Sequence, residues 1–328
     1  MGQLIDKFGR VHDYLRISLV DKCNLRCTYC MPENARFMPE DQLLSANEIV
    51  DLAHLFVNDY GIKKIRFTGG EPLVRKEAAS IIERITQLPV KLAITTNAIL
   101  LDRYFDLFQQ VGLNSMNVSL DSFNPEEFLA LTKRDEFDKV KANIDRAIEL
   151  GFRIKLNMVV MKGVNDKELI DFVARTEHDN LHVRFIEFMP FDGNSWNWDK
   201  VLSYSDMMQR IEAKFEVEKL KDGPNSTSKS YQVKGFKGTF AVISSVTAPF
   251  CTTCNRIRIT ADGMIRNCLF DTGEINLLKA LRNNEDVHAL IEQSIANKAQ
   301  QLGGLPNFQD QEKLMENLSD RSMVKIGG

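Results

Sequence analysis

Apolar and polar residues alternate along short runs, separated by longer stretches with helical periodicity, from Leu15 to about residue 215. The runs at 15–20, 64–68, 91–96, 115–120, 153–160 and 182–188 predict β-strands. Side chains along a strand point to opposite faces in turn, so Leu15, Ile17 and Leu19 face one way and Arg16 and Ser18 the other. The same parity sets Ile65 and Phe67 against Arg66 and Thr68, and Met116, Val118 and Leu120 against Asn117, Ser119 and Asp121. It also sets Ile154, Leu156 and Met158 against Lys155 and Asn157. The last run is mixed, because Arg184 shares its face with Ile186 and Phe188. A helical stretch follows each strand, with Ser45-Ala46-Asn47-Glu48 predicting a capping box and Asn124-Pro125-Glu126 a cap with a first-turn proline. Strand and helix in alternation predict an α/β fold with a parallel sheet, here a (βα)6 partial TIM barrel. Parallel sheets are normally covered on both faces, and a closed eight-stranded barrel fills its interior with branched apolar side chains. A polar, partly cationic face on strand after strand therefore predicts an open barrel whose lumen holds a large polar ligand.

After Lys221 the texture changes, which divides the chain into residues 1–220 and a smaller α+β part at 221–328. Residues 222–228 read as a polar linker or loop, and the runs at 231–234, 239–246, 256–260 and 264–268 predict antiparallel hairpins, with Ala261-Asp262-Gly263 as a turn. Residues 285–301 predict a helix with a polar face, and beyond Gly303-Gly304-Leu305-Pro306 a tail runs to Ile326-Gly327-Gly328.

A chain of 328 residues with 44% apolar content can bury a barrel-sized core and a smaller one. The net charge of -3 argues against nucleic acid or a membrane surface as the main partner, so any anion site must be a local concentration of cations. The first residues lack a cationic segment followed by an apolar run, Asp6 stands where a myristoylation pattern wants Ser or Thr, and no apolar run approaches membrane-spanning length. A cytoplasmic protein is the expectation.

Cysteine placement changes the picture most. All six fall into two triplets, Cys23/Cys27/Cys30 and Cys251/Cys254/Cys268. Packing cysteines scatter, and disulfides are rare in a reducing compartment, so two metal centres are the simpler account. Three thiols in one short loop can converge from one side and leave one coordination position open. In a cubane of four irons, three cysteines hold three corners and expose the fourth iron. A structural zinc site wants four ligands and usually two CxxC pairs, and a ferredoxin run wants a fourth cysteine followed by proline, where Met31-Pro32 stands. Thr68-Gly69-Gly70-Glu71-Pro72 follows the second predicted strand, and two glycines at that end allow close approach to the backbone, as does an ordinary turn. Arg256 and Arg258 share a strand face beside the second triplet, where paired guanidiniums suit phosphate oxygens or guard an exposed edge.

The CxxxCxxC spacing, with an aromatic residue before its last cysteine, resembles the signature of the radical S-adenosylmethionine (SAM) superfamily. With Met31-Pro32, the TGGEP turn, Arg184-Phe185-Ile186-Glu187-Phe188-Met189, the CxxCNRxR stretch leading to Cys268, and the Gly-Gly terminus, the chain resembles the GTP 3',8-cyclases nearly end to end. Those enzymes begin molybdenum-cofactor biosynthesis. The resemblance implies two [4Fe-4S] clusters, on Cys23, Cys27 and Cys30 and on Cys251, Cys254 and Cys268, with SAM at the first and the guanine of GTP at the second. It implies that Tyr29, Gly70, Ser119 and Met189 surround SAM, and that Arg16, Arg66, Thr95, Lys162, Arg184, Arg256 and Arg258 contact the nucleotide. Gly327 and Gly328 inherit the family's tail, which enters the active site. A 5'-deoxyadenosyl radical would take hydrogen from ribose C3', and the carbon radical would add to guanine C8. Ala98 departs from the glycine usual there. A flavodoxin- or ferredoxin-type electron donor, a homodimer and a downstream cyclic pyranopterin monophosphate synthase are further implications. Another two-cluster radical enzyme, such as a peptide maturase, and a non-enzymatic iron-sulfur or zinc module are the alternative readings.

Overall fold

The computed structural model describes residues 2–32, 34–305, 308, 314, 316, 318 and 321–327. Six strands, β1 (Tyr14–Ser18), β2 (Lys64–Thr68), β3 (Lys91–Thr96), β4 (Ser115–Ser119), β5 (Arg153–Val160) and β6 (His182–Glu187), pair in parallel in chain order. Each ends within two residues of its predicted limit. Helices α1 (Ala46–Asn58), α2 (Ala78–Ile85), α3 (Phe105–Gln110), α4 (Pro125–Thr132), α5 (Phe137–Glu149), α6 (Leu169–Ala174) and α7 (Tyr204–Glu212) lie between or after them. The two predicted caps are present. Ser45 Oγ accepts from Glu48 N at 3.2 Å while Ser45 N donates to Glu48 at 2.7 Å, and Asn124 accepts from Glu126 N and Glu127 N ahead of Pro125.

The predicted alternation decides what each face meets. Leu15, Ile17, Ile65, Phe67, Met116, Val118, Ile154, Leu156 and Met158 are buried against the helices in one continuous apolar cluster. Their polar neighbours turn into the lumen. Burial of the apolar set, at ~25 cal/mol per Å² removed from water, favours this register over a one-residue slip, which would place guanidiniums among the helices.

Beyond α7 come β7 (Val217–Lys219), β8 (Lys229–Val233), β9 (Thr239–Ile243), β10 (Arg256–Ile259), β11 (Met264–Arg266) and β12 (Ile275–Asn276), then α8 (Leu277–Arg282) and α9 (Val287–Ala296). The antiparallel pairs β8·β9 and β10·β11 match the hairpin expectation. What alternation along the chain did not disclose is where they dock. Strand β9 pairs in parallel with β6, and β10 in parallel with β1, so one 12-stranded sheet runs β12-β11-β10-β1-β2-β3-β4-β5-β6-β9-β8-β7. A six-stranded parallel sheet has two edges of unmet backbone groups, and the late hairpins satisfy both. The result is an open barrel flanked on each side by strands from the C-terminal part. Among the described residues no helix is long and apolar enough to cross a membrane.

Glu187, at the end of β6, is fully buried and ties this arrangement together. Its carboxylate accepts from Tyr204 N at 2.9 Å, Val246 N at 2.8 Å, Thr247 N at 2.9 Å and the Thr247 hydroxyl, joining β6 to the start of α7 and to the loop after β9. Glu187→Gln puts an amide donor among these donors, and leaving one of them unmet costs about 2 kcal/mol. Urea unfolding followed by circular dichroism is expected to show a loss of that size.

Candidate functional site

The first cysteine triplet lies in the loop leaving β1, and the Gly69-Gly70 turn at the end of β2 receives the start of that loop. A Cβ on Gly69 would stand 2.5 Å from Val20 O, and one on Gly70 2.5 Å from Lys22 O. The two glycines therefore admit a neighbouring strand's backbone as well as bordering the lumen. Gly70 N donates to Val20 O at 2.8 Å and Glu71 N to Lys22 O at 2.9 Å. On the far side, Arg26 N and Thr28 N donate to Thr132 O and Leu131 O of α4. Asn97 Nδ2 reaches Asn24 Oδ1 at 2.7 Å and Cys23 Sγ at 3.7 Å, and Leu25 N donates to Cys23 Sγ at 3.4 Å. Ala98 adopts φ 66°, the conformation that favours glycine, and is fully buried.

Burial pushes the Cys23 thiol up to about 11 and Cys30 up to about 12, and raises Cys27 as well. The charges of Cys23 and Cys30 lift Cys27 further, and that of Cys23 lifts Cys30, so the three sulfurs are mutual neighbours. Buried thiols with amide donors aimed at sulfur suit metal ligation, in which coordination removes the proton.

The second triplet gathers around the β10·β11 pair. Cys251 and Cys254 form the turn before β10, Cys268 follows β11, and Leu302 N donates to Cys251 Sγ at 3.4 Å. Burial raises Cys251 and Cys268. At Cys254 the burial effect is outweighed by the charges of Lys298 and Arg256, and the thiol is lowered. Among the described residues, no three His, Cys, Asp or Glu side chains close on a single-ion position. A cubane takes one thiolate per iron, so each triplet supplies, by the chemistry of its three thiols, the donors for three of a cluster's four irons.

Between the triplets lies a cavity of about 1090 Å³. Tyr29, Cys30, Gly70, Ser119 and Met189 border it near the first triplet. Phe250, Asn255 and Leu269, adjacent in sequence to the second triplet's cysteines, border it on the other side. Arg16, Arg66, Thr95, Arg184, Arg256 and Arg258 also line it. Lys162 stands apart from the other expected residues: it is exposed in the turn after β5 and is absent from the described lining.

Register arranges the cations in rows. Arg16 on β1 lies opposite both Arg66 on β2 and Arg258 on β10, and Tyr14, two residues earlier, lies opposite Lys64 and Arg256. Like charges directly opposite each other on neighbouring strands repel. Burial, and then the charge of Arg258, pulls Arg16 well below its ordinary range. Burial pulls Arg184 down to about 9 and Arg258 to about 10. Arg66 Nη1 donates to Ile94 O at 2.7 Å, Arg184 Nε to Asn157 Oδ1 at 2.9 Å, and Arg258 Nη1 to Gly327 O at 3.0 Å. The buried Asn117 Oδ1 in the lumen has no partner. The site therefore holds concentrated positive charge and an unmet acceptor.

The tail enters this space. Gly327 is buried with φ 84°, and a Cβ there would lie 2.8 Å from Ser18 Cβ and 3.1 Å from Thr68 Oγ1. Only glycine fits at the carboxyl ends of β1 and β2. Gly328 lies outside the described residues.

Several wall residues escaped the sequence reading. Tyr14 had a usable signal, since it shares parity with Arg16. Arg66 Nε donates to its hydroxyl at 2.6 Å, and Lys64 Nζ and Arg256 Cζ lie 4.8 Å and 5.8 Å from its ring centre. Asp121 accepts from the Tyr29 hydroxyl at 2.6 Å and Val159 N at 2.8 Å, and burial raises it to about 6. Residues 223–228, which read as a linker, line the cavity. Nothing in a polar, glycine-containing run indicates which surface it will cover.

The profile of the family described as Radical SAM superfamily matches residues 17–175, and that of the family described as Molybdenum Cofactor Synthesis C matches residues 181–303. The chain is 41% identical over 336 residues to the GTP 3',8-cyclase of Listeria monocytogenes, covering 100% of both chains. It is 44% identical to the mitochondrial GTP 3',8-cyclase of Arabidopsis thaliana, covering 99% of this chain and 83% of that one. It is 45% identical to molybdenum cofactor biosynthesis protein 1 of Mus musculus over 99% of this chain and 51% of the relative. The chain thus spans about half the length of molybdenum cofactor biosynthesis protein 1 and the whole of the Listeria relative. Among solved structures, Streptococcus suis SuiB bound to precursor peptide SuiA superposes with a TM-score of 0.59 at 15% identity, covering 84% of this chain and 66% of that one. A radical SAM methyltransferase from Sphaerobacter thermophilus gives 0.51 at 17% identity, covering 78% and 70%. At such identities the likeness is one of fold.

The cation rows make a testable mark on Tyr14. Burial raises its phenol, but Arg66, Arg16 and Lys64 together outweigh that and bring it down to about 7. A group whose folded value lies below its unfolded value of 10.0 adds stability that is complete above that pH and fades as pH falls through about 7. An ultraviolet titration of metal-free protein is expected to show one tyrosinate with a midpoint near 7, missing from Tyr14→Phe. If all tyrosines titrate near their ordinary value, the cations do not crowd the lumen.

Proposed function

Because the chain belongs to the GTP 3',8-cyclase family of the radical SAM superfamily, we propose that it converts GTP to (8S)-3',8-cyclo-7,8-dihydroguanosine 5'-triphosphate. That reaction is the first step of molybdenum cofactor biosynthesis. The observation that carries the reading is one cationic cavity bordered by Cys30 of the first triplet and by Phe250, Asn255 and Leu269, sequence neighbours of the second. Cys23, Cys27 and Cys30 would hold a [4Fe-4S] cluster that supplies the electron for reductive cleavage of SAM, and Cys251, Cys254 and Cys268 would hold a second that grips the base.

The chain's own residues supply place and charge. Tyr29, Gly70, Ser119 and Met189 line the end of the cavity where SAM would lie. Arg16, Arg66, Arg184, Arg256 and Arg258, with Thr95, would hold the triphosphate. Forked guanidinium bonds to phosphate would relieve the mutual repulsion within these rows. Lys162, outside the described wall, is a candidate contact from the rim. Gly327 brings backbone, fixed by Arg258, to the point where β1 and β2 end, and Gly328 would extend it toward the substrate. Ring closure between two parts of one nucleotide needs them held near contact with water excluded, which a walled lumen provides. In this division of labour residues 1–220 start the radical, while residues 221–328 hold the base and close the chamber.

A cytoplasmic location, a homodimer, electrons from a flavodoxin- or ferredoxin-type protein, and onward use of the product by a cyclic pyranopterin monophosphate synthase complete the proposal. The family resemblance supports each of these.

Anaerobic, reduced protein given GTP and SAM is expected to form 5'-deoxyadenosine together with a cyclised nucleotide. Arg256→Ala and Arg258→Ala, each removing a buried phosphate contact of about 3 kcal/mol, are expected to cut nucleotide formation at least about a hundredfold while iron content is retained. Normal turnover by both variants would overturn the substrate assignment.

A further inference from the structure

Lys298, just past the end of α9, is 2% exposed. Its ammonium lies 3.2 Å from Arg256 O, donates to Asn267 O, and stands 3.9 Å from Cys254 Sγ. No carboxylate is within ion-pair reach of it among the described residues. The charged and titratable groups that its field couples to are the three cysteines of the second triplet and His12. Arg10 Nη1, close by, donates to Cys251 O at 2.8 Å and Gln300 O at 2.7 Å, closing the same segment over the triplet. A buried ammonium whose partners are two carbonyls and a sulfur lacks the anion that burial of a charge requires.

We propose that Lys298 is the fixed counter-charge of the centre held by Cys251, Cys254 and Cys268, and that it sets that centre's reduction potential. The inference rests on the reading that this triplet holds a cluster. Three thiolates on an iron-sulfur core carry net negative charge, and this buried ammonium stands 3.9 Å from the sulfur of one of them, Cys254. In a low-dielectric interior a positive charge at that distance favours the form with one more electron.

The full chain carrying Cys23→Ala, Cys27→Ala and Cys30→Ala, reconstituted anaerobically, isolates the second centre. A redox titration read by electron paramagnetic resonance then compares three additions to it. Lys298→Met is expected to move the midpoint to more negative potential, Lys298→Arg to stay near the parent, and Ile295→Val, which thins the same helix's packing, to lower the melting temperature without moving the potential. Iron retained by Lys298→Arg but lost from folded Lys298→Met supports the same conclusion. An unmoved midpoint in Lys298→Met, or an equal shift in Ile295→Val, overturns the inference alone. A parent that binds no iron overturns the second-cluster reading and the inference with it.

Discussion

Repulsion among cations gathered on one face of the sheet is the constraint around which this protein is arranged. Arg258, Arg16 and Arg66 stand in one cross-strand row, and Arg256, Tyr14 and Lys64 in the next. Their strands are fixed by an apolar face that leaves no freedom to turn them outward. Burial and mutual repulsion hold Arg16, Arg184 and Arg258 below their ordinary values. Under the proposed function, a triphosphate among them would offset that repulsion, and its place would be set by the register of the sheet.

The same register brings Cys30 of the first triplet and the sequence neighbours of the second to one chamber. Glycines at the end of β2 let the first cysteine loop lie directly on the sheet, while β10 carries Arg256 and Arg258 straight out of the turn containing Cys251 and Cys254. Because β10 pairs with β1, the strand that leads into the first triplet, the two cysteine triplets are linked through a single parallel strand pair. The tail closes the arrangement, with Arg258 holding Gly327 O where only glycine fits.

Much of this was legible from residue order alone, for a physical reason. Strict alternation of Leu15, Arg16 and Ile17, or of Met116, Asn117 and Val118, has one stable reading when helices cover one face. The caps at Ser45 and Asn124 are short-range chemistry and read equally well. What the order did not disclose is long-range. The docking of β9 on β6 and β10 on β1 depends on which sheet edges remain open. The closure of residues 223–228 over the cavity depends on the shape of the surface beneath it. Lys162, expected among the nucleotide contacts, is exposed in the turn after β5 and is not among the described lining of the cavity. Lys298 falls in the run 285–301 that reads as a helix with a polar face, yet it lies just past the end of α9 and is buried, donating to Arg256 O and Asn267 O.

The most direct test of the central claim is a structure of the anaerobically prepared protein crystallised with GTP. The triphosphate is expected between the Arg258–Arg16–Arg66 and Arg256–Tyr14–Lys64 rows, with the base directed toward Cys251, Cys254 and Cys268. A nucleotide bound outside the lumen, with those guanidiniums unmoved and still facing one another, would contradict it.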